Sequence, residues 1–510
     1  MADLKFVVAI RDPIHGIIPI TRPEYELTVS PYFDRLRYIH KTGAGFLVYP
    51  AQNQTRYMHS IGVMHLAYKI LKQVLDTHIK RVDKKTWDSL WSTEYKPQDI
   101  YQIIRFAGLL HDIGHGPFSH TTEPILEWIL KNNFKENYKE YKAKNIGSVH
   151  EYYSYKMITE VDIIKEIIEN AGINPYDIAV LLSKETEIPE KKQLLHKPGI
   201  RVLRKIIESQ IDADRLDNLL RDSYGIGVPY GYVDVDSIIK NMFIFPSDLE
   251  GEENLDLVHH IRSLGQIEDM LDARYKMYRW LYYHQKVNLY DIIIGRLTLK
   301  LLRDKIISPE DFHYVNYARE PGVYVDDNWL LNRIRDGYNL DPEGYYLLKG
   351  IYQQDYLPIS LWRNYEEFVG IVKEATKAKN PFNMAQKVYN TLKYNPEEHF
   401  KQIRKMISSR IKNGNTSLLF SLRRPTTPYD WRDDEQILVY VGAKKVIPIF
   451  EISLYIQKLV EMGESYITFY TYFYIKNRKR GSFMHLFRPI RRIFVEYIRK
   501  LYSEEKISGT

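Results

Sequence analysis

The chain reads as a mainly α protein, with a large helical core over residues 1–300 and a smaller C-terminal lobe of helices and strands over 301–510. Three observations predict this. Through the first part, apolar residues recur at three- and four-residue intervals, as in Ile100, Ile103, Ile104, Ala107 and Leu110, the pattern of helices that bury one face. From about residue 300 the pattern changes, and residues 436–441 and 466–474 are runs of β-branched and aromatic side chains, which suit strands. The composition, 44% hydrophobic and 27% charged over 510 residues, supports a large core with an attached lobe rather than disorder.

Taken in order, the first helix that matters carries His59 in register with Val63, Leu66 and Ile70, so its imidazole turns toward the buried face. The helix through Ile100 and Leu110 runs into His111-Asp112, and Gly114, Gly116 and Pro117 end it. Asp214 follows Ile207 and Ile211 at the same spacing. Polar stretches over 76–99 and 131–149 read as surface insertions or solvated helices between these segments. Residues 447–462 look helical and separate the two strand runs. No internal repeat is visible.

Three apolar faces that pack together bring His59, His111, Asp112 and Asp214 to a common point. A buried carboxylate without a partner costs several kcal/mol, and a cation is the natural compensation. Mixed nitrogen and oxygen ligation suits a divalent ion, with Mn, Mg, Fe, Ni and Zn all compatible. The chain has no cysteine, so neither a thiolate site nor a disulfide can form. Four protein ligands leave positions for water and a substrate oxygen, as hydrolysis needs. A single histidine on an apolar face is usually a core residue; the full set reverses that expectation.

The pattern H…HD…D and its surroundings resemble the HD-domain phosphohydrolases, and more narrowly the deoxynucleoside triphosphate triphosphohydrolases, the dGTPase-type and sterile-alpha-motif-and-HD-domain enzymes among them. The likeness begins at Asp12-Pro13-Ile14-His15-Gly16 and continues through Phe33-Asp34-Arg35-Leu36-Arg37 and Arg56-Tyr57-Met58-His59-Ser60. Beyond the HD segment it takes in His150-Glu151, residues 212–217 and 220–224, and Met277-Tyr278-Arg279 with Tyr282-Tyr283-His284. It implies hydrolysis at the α-phosphorus, giving a nucleoside and triphosphate. It implies His120 as general acid, three residues from a supporting Glu123 and assisted by His150, with His115 touching the α-phosphate. Arg56 and Arg215 match cationic substrate positions, and Asp222, on the helical stripe of Asp214, matches the carboxylate that reads the sugar 3′-hydroxyl. Arg274, Tyr278 and Tyr282 form a further substrate stripe, in which Tyr283 could replace Tyr282.

Two departures from the family follow. Asn218 stands where many relatives carry a tyrosine against the sugar, which loosens discrimination against a 2′-hydroxyl. Val29 and Asp34 stand where nucleotide-activated members read an activating guanine, so activation by GTP is not expected, although Arg35 and Arg37 offer cations to another anion. The expected partners are a (deoxy)nucleoside triphosphate substrate, a nucleotide activator and further copies of the chain, since the family forms homo-oligomers. The tail over 476–500 interleaves Arg478, Arg480, Arg488, Arg491, Arg492 and Arg499 with Phe483, Phe487, Phe494 and Tyr497. It is open to three readings: a single-stranded nucleic-acid track, a nucleotide contact at a subunit interface, or a solvated helix with a buried aromatic side. The alternative functions are a nucleotide phosphodiesterase or single-strand nuclease on the same scaffold, and a non-catalytic sensor. No run approaches a membrane span and no signal-peptide layout opens the sequence, so a cytoplasmic protein is expected.

Overall fold

The structure is a computed structural model that describes residues 4–79, 91, 95–183, 198–247, 254–337, 341–411, 416–423, 429–430, 436–443, 445–466, 468–476 and 478–504. Residues 80–90 and 92–94 of the first polar stretch, with Ile467 and Asn477, lie outside the described residues. The described chain is mainly helical with a few small sheets, as the apolar spacing predicts. It divides into two compact units. The first comprises Met1–Met277, Ile307–Leu330 and Tyr429–Gln457; the second comprises Tyr278–Ile306, Leu331–Pro428 and Lys458–Thr510. The sequence places one cut at residue 300, whereas the chain passes between the units several times.

The first unit is built around the helices Arg56–Ile79 (α1), Pro97–Leu110 (α2), Glu123–Asn133 (α3), Val149–Glu160 (α4), Ala213–Ile226 (α5) and Leu264–Met277 (α6). An antiparallel hairpin, Phe6–Asp12 with Gly16–Thr21, precedes them. α1 packs against both α2 and α5. The crossing with α2 is close because of Gly108: a Cβ there would stand 2.9 Å from the Met64 Cα and 3.1 Å from the Val63 carbonyl oxygen. α2 is more buried than its amphipathic spacing suggests, since every residue from Ile100 to Leu110 is buried. Two of its polar members converge on one carboxylate. Arg105 donates from Nε and Nη2 to the two oxygens of buried Glu24 at 2.6 and 2.7 Å, and Gln102 donates to Glu24 Oε1 at 2.7 Å.

The stripe Ile207, Ile211, Asp214 is not one helix. The helix Gly199–Ile207 stops, Ser209 donates its N–H to Asp212 Oδ2 at 2.8 Å, and Asp212 then caps α5 by accepting the Arg215 N–H at 2.6 Å. Side chains that bond nearby backbone compete with helix continuation and favour a new start. The predicted strand near 436–441 is Leu438–Gly442, which pairs antiparallel with Lys445–Pro448 and parallel with Asn254–His260, itself paired with Met242–Ser247. The expected helix over 447–462 therefore begins as strand, and its helical part is Ile449–Ile452 and Leu454–Ser465.

In the second unit Tyr278–Tyr282 forms a π-helical turn, followed by Gln285–Arg303 (α7). Thr468–Ile475 is the central, fully buried strand of a sheet with Ile359–Ser360 and Thr416–Arg423, and Tyr365–Thr376 (α8) and Phe487–Ser503 (α9) are the helices relevant below. The two strand runs thus belong to different units. α9 buries Phe494 and Tyr497 and exposes Arg488, Arg492 and Arg499.

Candidate metal centre

His59 lies in the first turn of α1 and is fully buried. Its Nδ1 faces Asp217 Oδ2 at 2.7 Å. The Arg221 guanidinium forks onto Asp217 with Nε to Oδ2 at 2.7 Å and Nη2 to Oδ1 at 2.9 Å. Burial pushes the Asp217 carboxyl up, but Arg221, His15 and His59 outweigh it and hold it well below the ordinary carboxylate range. An ionised oxygen can only accept, so His59 carries its proton on Nδ1 and presents the Nε2 lone pair to the opposite side. His111, the cap residue of α2, is set the same way: Nδ1 donates to the Gly108 carbonyl at 2.9 Å. Both Nε2 atoms are buried and without a hydrogen-bond partner among the described residues.

These two lone pairs meet two carboxylates. His59 Nε2 is 2.8 Å from Asp214 Oδ1 and 3.4 Å from Asp112 Oδ2; His111 Nε2 is 3.3 Å from Asp112 Oδ2 and 3.6 Å from Asp214 Oδ1. A buried acceptor nitrogen aimed at carboxylate oxygens is unfavourable unless a cation stands between them, so the four residues fit a divalent ion. His59, His111 and Asp112 present atoms that all lie within 4.8 Å of one another. Burial pushes His111 down, yet Asp112 and Asp214 together hold it well above its ordinary value, because both carboxylates favour positive charge at this point.

A second cluster adjoins the first. Glu123 opens α3, and its carboxylate accepts from His120 Nδ1 at 2.8 Å and His150 Nδ1 at 2.6 Å. The i, i+3 relation of His120 and Glu123 comes from a 3-10 turn, Ser119–Thr121, leading into α3, not from one continuous helix. Burial pushes Glu123 up, but His150 and His120 overcome this and hold it ionised. His115 is buried, its ring stacked on His150 at 3.8 Å, with Nε2 3.3 Å from Asp112 Oδ1. Burial, Arg56 and His150 keep it neutral. The side chain of His120 is 63% exposed against 11% for His150, so of the two it is His120 that can reach a ligand.

Among the expected substrate residues, Arg56 is buried and committed, bonding Asp112, Ser119 Oγ at 3.0 Å and the Lys41 carbonyl at 3.2 Å. Arg215 lies in the first turn of α5, with its N–H and guanidinium both on Asp212. Asn218 donates to Asp214 Oδ1 at 2.8 Å, so it touches a ligand directly. Asp222 is buried between Lys41 Nζ at 2.7 Å and Gln52 Nε2 at 3.2 Å. Arg274 is on α6 and reaches Gln210 at 3.4 Å. Tyr278 and Tyr282 fall in the second unit, where the π turn breaks the i, i+4 stripe; the Tyr278 ring meets both Tyr282 at 5.2 Å and Tyr283 at 5.6 Å. Arg35 does not offer a cation to an anion: it is fully buried and donates to the carbonyls of His115 and Ile113 at 2.8 and 2.9 Å, bracing the HD loop.

Sequence reasoning missed the support of His59. Asp217 Oδ1 also faces His15 Nε2 at 2.7 Å, and Arg221 Nη1 reaches Asp12 Oδ2 at 2.8 Å, so the hairpin turn Asp12-Pro13-Ile14-His15 braces the centre from outside. Gly62 makes room for this, since a Cβ there would stand 2.1 Å from Asp217 Oδ1 and 2.5 Å from Arg221 Nη2. The signal was present in the acidic run at 212–217, where Asp217 lies one turn beyond Asp214.

Residues 56–222 match the family model described as HD domain, a span that opens at Arg56 and closes at Asp222. The region is an HD domain. Similar proteins include the uncharacterized protein MJ1154 of Methanocaldococcus jannaschii, 29% identical over 331 residues, 64% of this chain and 57% of that protein. They also include the deoxynucleoside triphosphate triphosphohydrolase SAMHD1 of Bos taurus, 28% identical over 303 residues, 57% of this chain and 47% of that one. The chain spans about half the length of the curated relatives it matches. The structure of a hypothetical protein from Aquifex aeolicus superimposes with a TM-score of 0.58 at 21% identity, covering 96% of this chain and 99% of that one, which shows a shared fold. No helix among the described residues is long and apolar enough to cross a membrane.

Proposed function

We propose that the protein is a metal-dependent triphosphohydrolase that cleaves (deoxy)nucleoside triphosphates at the α-phosphorus into a nucleoside and triphosphate. The observation that supports it best is the junction of two clusters through Asp112 and His115: the ligand-type atoms of His59, His111 and Asp112 at one point with Asp214 against both imidazoles, and beside them an exposed imidazole backed by an ionised carboxylate. A divalent ion held by His59, His111, Asp112 and Asp214 supplies Lewis acidity and a water of lowered pKa. The chain's own groups do the rest. Glu123 accepts from His120 Nδ1 and orients the ring, so that Nε2 delivers a proton to the leaving 5′ oxygen. His150, raised by Glu123 against the lowering effect of burial, keeps that carboxylate ionised. Neutral His115 presents a ring nitrogen to the α-phosphate without competing for the carboxylates. Arg56 fixes Asp112, and Arg215 meets the phosphate chain. Asn218 and Asp222 lie along the sugar, one and two turns beyond Asp214 on α5.

The test is incubation of the full chain with each dNTP and NTP under Mn, Mg, Fe, Ni or Zn, with every product separated by ion-exchange chromatography. Inorganic triphosphate with free nucleoside supports the reading. Nucleoside monophosphate with pyrophosphate, or no turnover with any metal, overturns it.

A further inference from the structure

The second unit holds a cleft of about 290 Å³, lined in part by Lys286, Arg363, Arg480 and Arg491 with a single carboxylate, Glu367. Arg363 uses that carboxylate, donating from Nε at 2.9 Å and Nη2 at 2.6 Å. Arg491 also acts on Glu367 and lowers its carboxyl, so one carboxylate is shared between Arg363 and Arg491, and the cavity, with Lys286 and Arg480, keeps three positive charges in excess of its one negative. Three cations so placed repel one another, and an anion in the cleft relieves the repulsion. The surrounding backbone adds to the field. Gln285 and Lys286 open α7, Phe487 opens α9, and Arg363 directly precedes Asn364, the cap of α8, so the partially positive ends of three helices border the cleft. The remaining wall is apolar, with Leu289, Leu357, Met484 and Phe487 beside the guanidinium groups. A cavity near the lower end of the ~300–1,000 Å³ usual for small-ligand sites, cationic on one part and apolar on another, matches a phosphate-bearing molecule with an organic body.

We propose that this cleft is a binding site for a small organic polyphosphate, held by Lys286, Arg480 and Arg491. It is formed entirely by the second unit and uses none of the HD residues, so it stands whether or not the hydrolytic reading does. It also gives the basic tail a role that its sequence left open: Arg480 and Arg491 line the cleft, whereas Arg488, Arg492 and Arg499 are exposed to solvent.

The test is calorimetric titration of the full chain, in chelator, with inorganic triphosphate and with the 5′-methylenephosphonate analogue of adenosine triphosphate, in which carbon replaces the leaving 5′ oxygen. Wild type is compared with Arg480→Gln/Arg491→Gln, with Arg480→Glu/Arg491→Glu, and with Arg488→Glu/Arg499→Glu, which changes charge equally outside the cleft. Circular dichroism confirms that each variant is folded. The expected result is one class of binding weakened on the order of tenfold or more in both cleft variants and kept in the Arg488/Arg499 variant, because guanidinium–phosphate contacts are charge-assisted and bidentate. Tighter binding of the nucleotide analogue than of inorganic triphosphate supports the apolar wall as part of the site. Unchanged titrations in the cleft variants, equal loss in the Arg488/Arg499 variant, or no preference for the organic ligand would each overturn the proposal.

Discussion

Replacing Asp217 by Asn tests how far the metal centre depends on a residue that does not touch the ion. Asp217 accepts from His59 Nδ1, His15 Nε2 and two nitrogens of Arg221, using both oxygens. An amide can keep only one acceptor. If it keeps the oxygen that faces His59, its NH2 meets the donors of Arg221 and His15; if it turns the other way, NH2 meets His59 Nδ1–H and the imidazole must change tautomer or tilt. Either way the lone pair on His59 Nε2 is less firmly aimed at Asp112 and Asp214. Loss of such a support typically weakens metal binding 10–100-fold, which is about 1.4–2.7 kcal/mol. Buried donors left unpaired cost folding stability as well, roughly 1–3 kcal/mol. The assay is chelator competition for Mn or Zn, run beside a denaturant titration, so that affinity is read only where the variant is folded. A metal affinity equal to wild type in folded Asp217→Asn would refute the orientation argument, because the geometry leaves no third way to satisfy Arg221 and His59 together.

Other expectations follow from single contacts. His120→Ala should lower turnover by ~10²–10⁴ while leaving bound metal at wild-type levels by atomic emission, since its ring meets Glu123 and not the ion; near-normal turnover would place the proton donor elsewhere. His259 is buried and pushed down to about 3 by burial and then by Lys205, against an ordinary value of 6.5, so its contribution to stability is complete above about pH 6.5 and is lost as pH falls toward 3. Wild type should therefore lose on the order of 2 kcal/mol through this group between pH 6.5 and 4.5, and His259→Leu should show a shallower pH slope in denaturant titrations by that amount; parallel slopes would count against it. Asn218→Tyr should shift the ratio of kcat/KM values for matched dNTP and NTP pairs toward the deoxynucleotide, and should also weaken metal binding because Asn218 Nδ2 supports Asp214; an unchanged ratio would take position 218 away from the sugar.

The helices that carry the ligands were legible because each announces a buried stripe in its own local sequence. His59 with Val63 and Leu66, and His111 at the end of an apolar run, needed no knowledge of distant residues. What local spacing does not hold is the partner. Leu438–Gly442 reads plainly as strand, yet its neighbour is Asn254–His260, far back in the chain, so the run joins the first unit instead of the lobe that follows it. The break between Ile207 and Asp214 escaped for another reason. Apolar spacing continues across it, and only the capping chemistry of Asp212 reveals that two helices meet there.

The candidate centre divides in the same way. Ligand-type residues stand out because histidine and aspartate on buried faces need an explanation, and the ion provides one. Residues that support them look unremarkable in sequence: Asp217 could be any acid on an acidic helix, and Arg35 could be any surface arginine, until the fold buries both. The cationic substrate positions show the converse risk. An arginine three residues before a ligand invites a phosphate, but Arg56 is drawn onto Asp112, Ser119 and Lys41 because a buried carboxylate close by outcompetes solvent for it. Asp222 has likewise acquired Lys41, whose ammonium lies 2.7 Å from the carboxylate expected to read a sugar hydroxyl. A hydroxyl approaching Asp222 therefore meets a donor and an acceptor already bonded to each other, and must either insert between them or bond only the outer lone pair. If the proposed substrate lies along α5, the ion pair at Lys41 bears on its sugar as directly as Asn218 does, from a position that no helical stripe connects to Asp214.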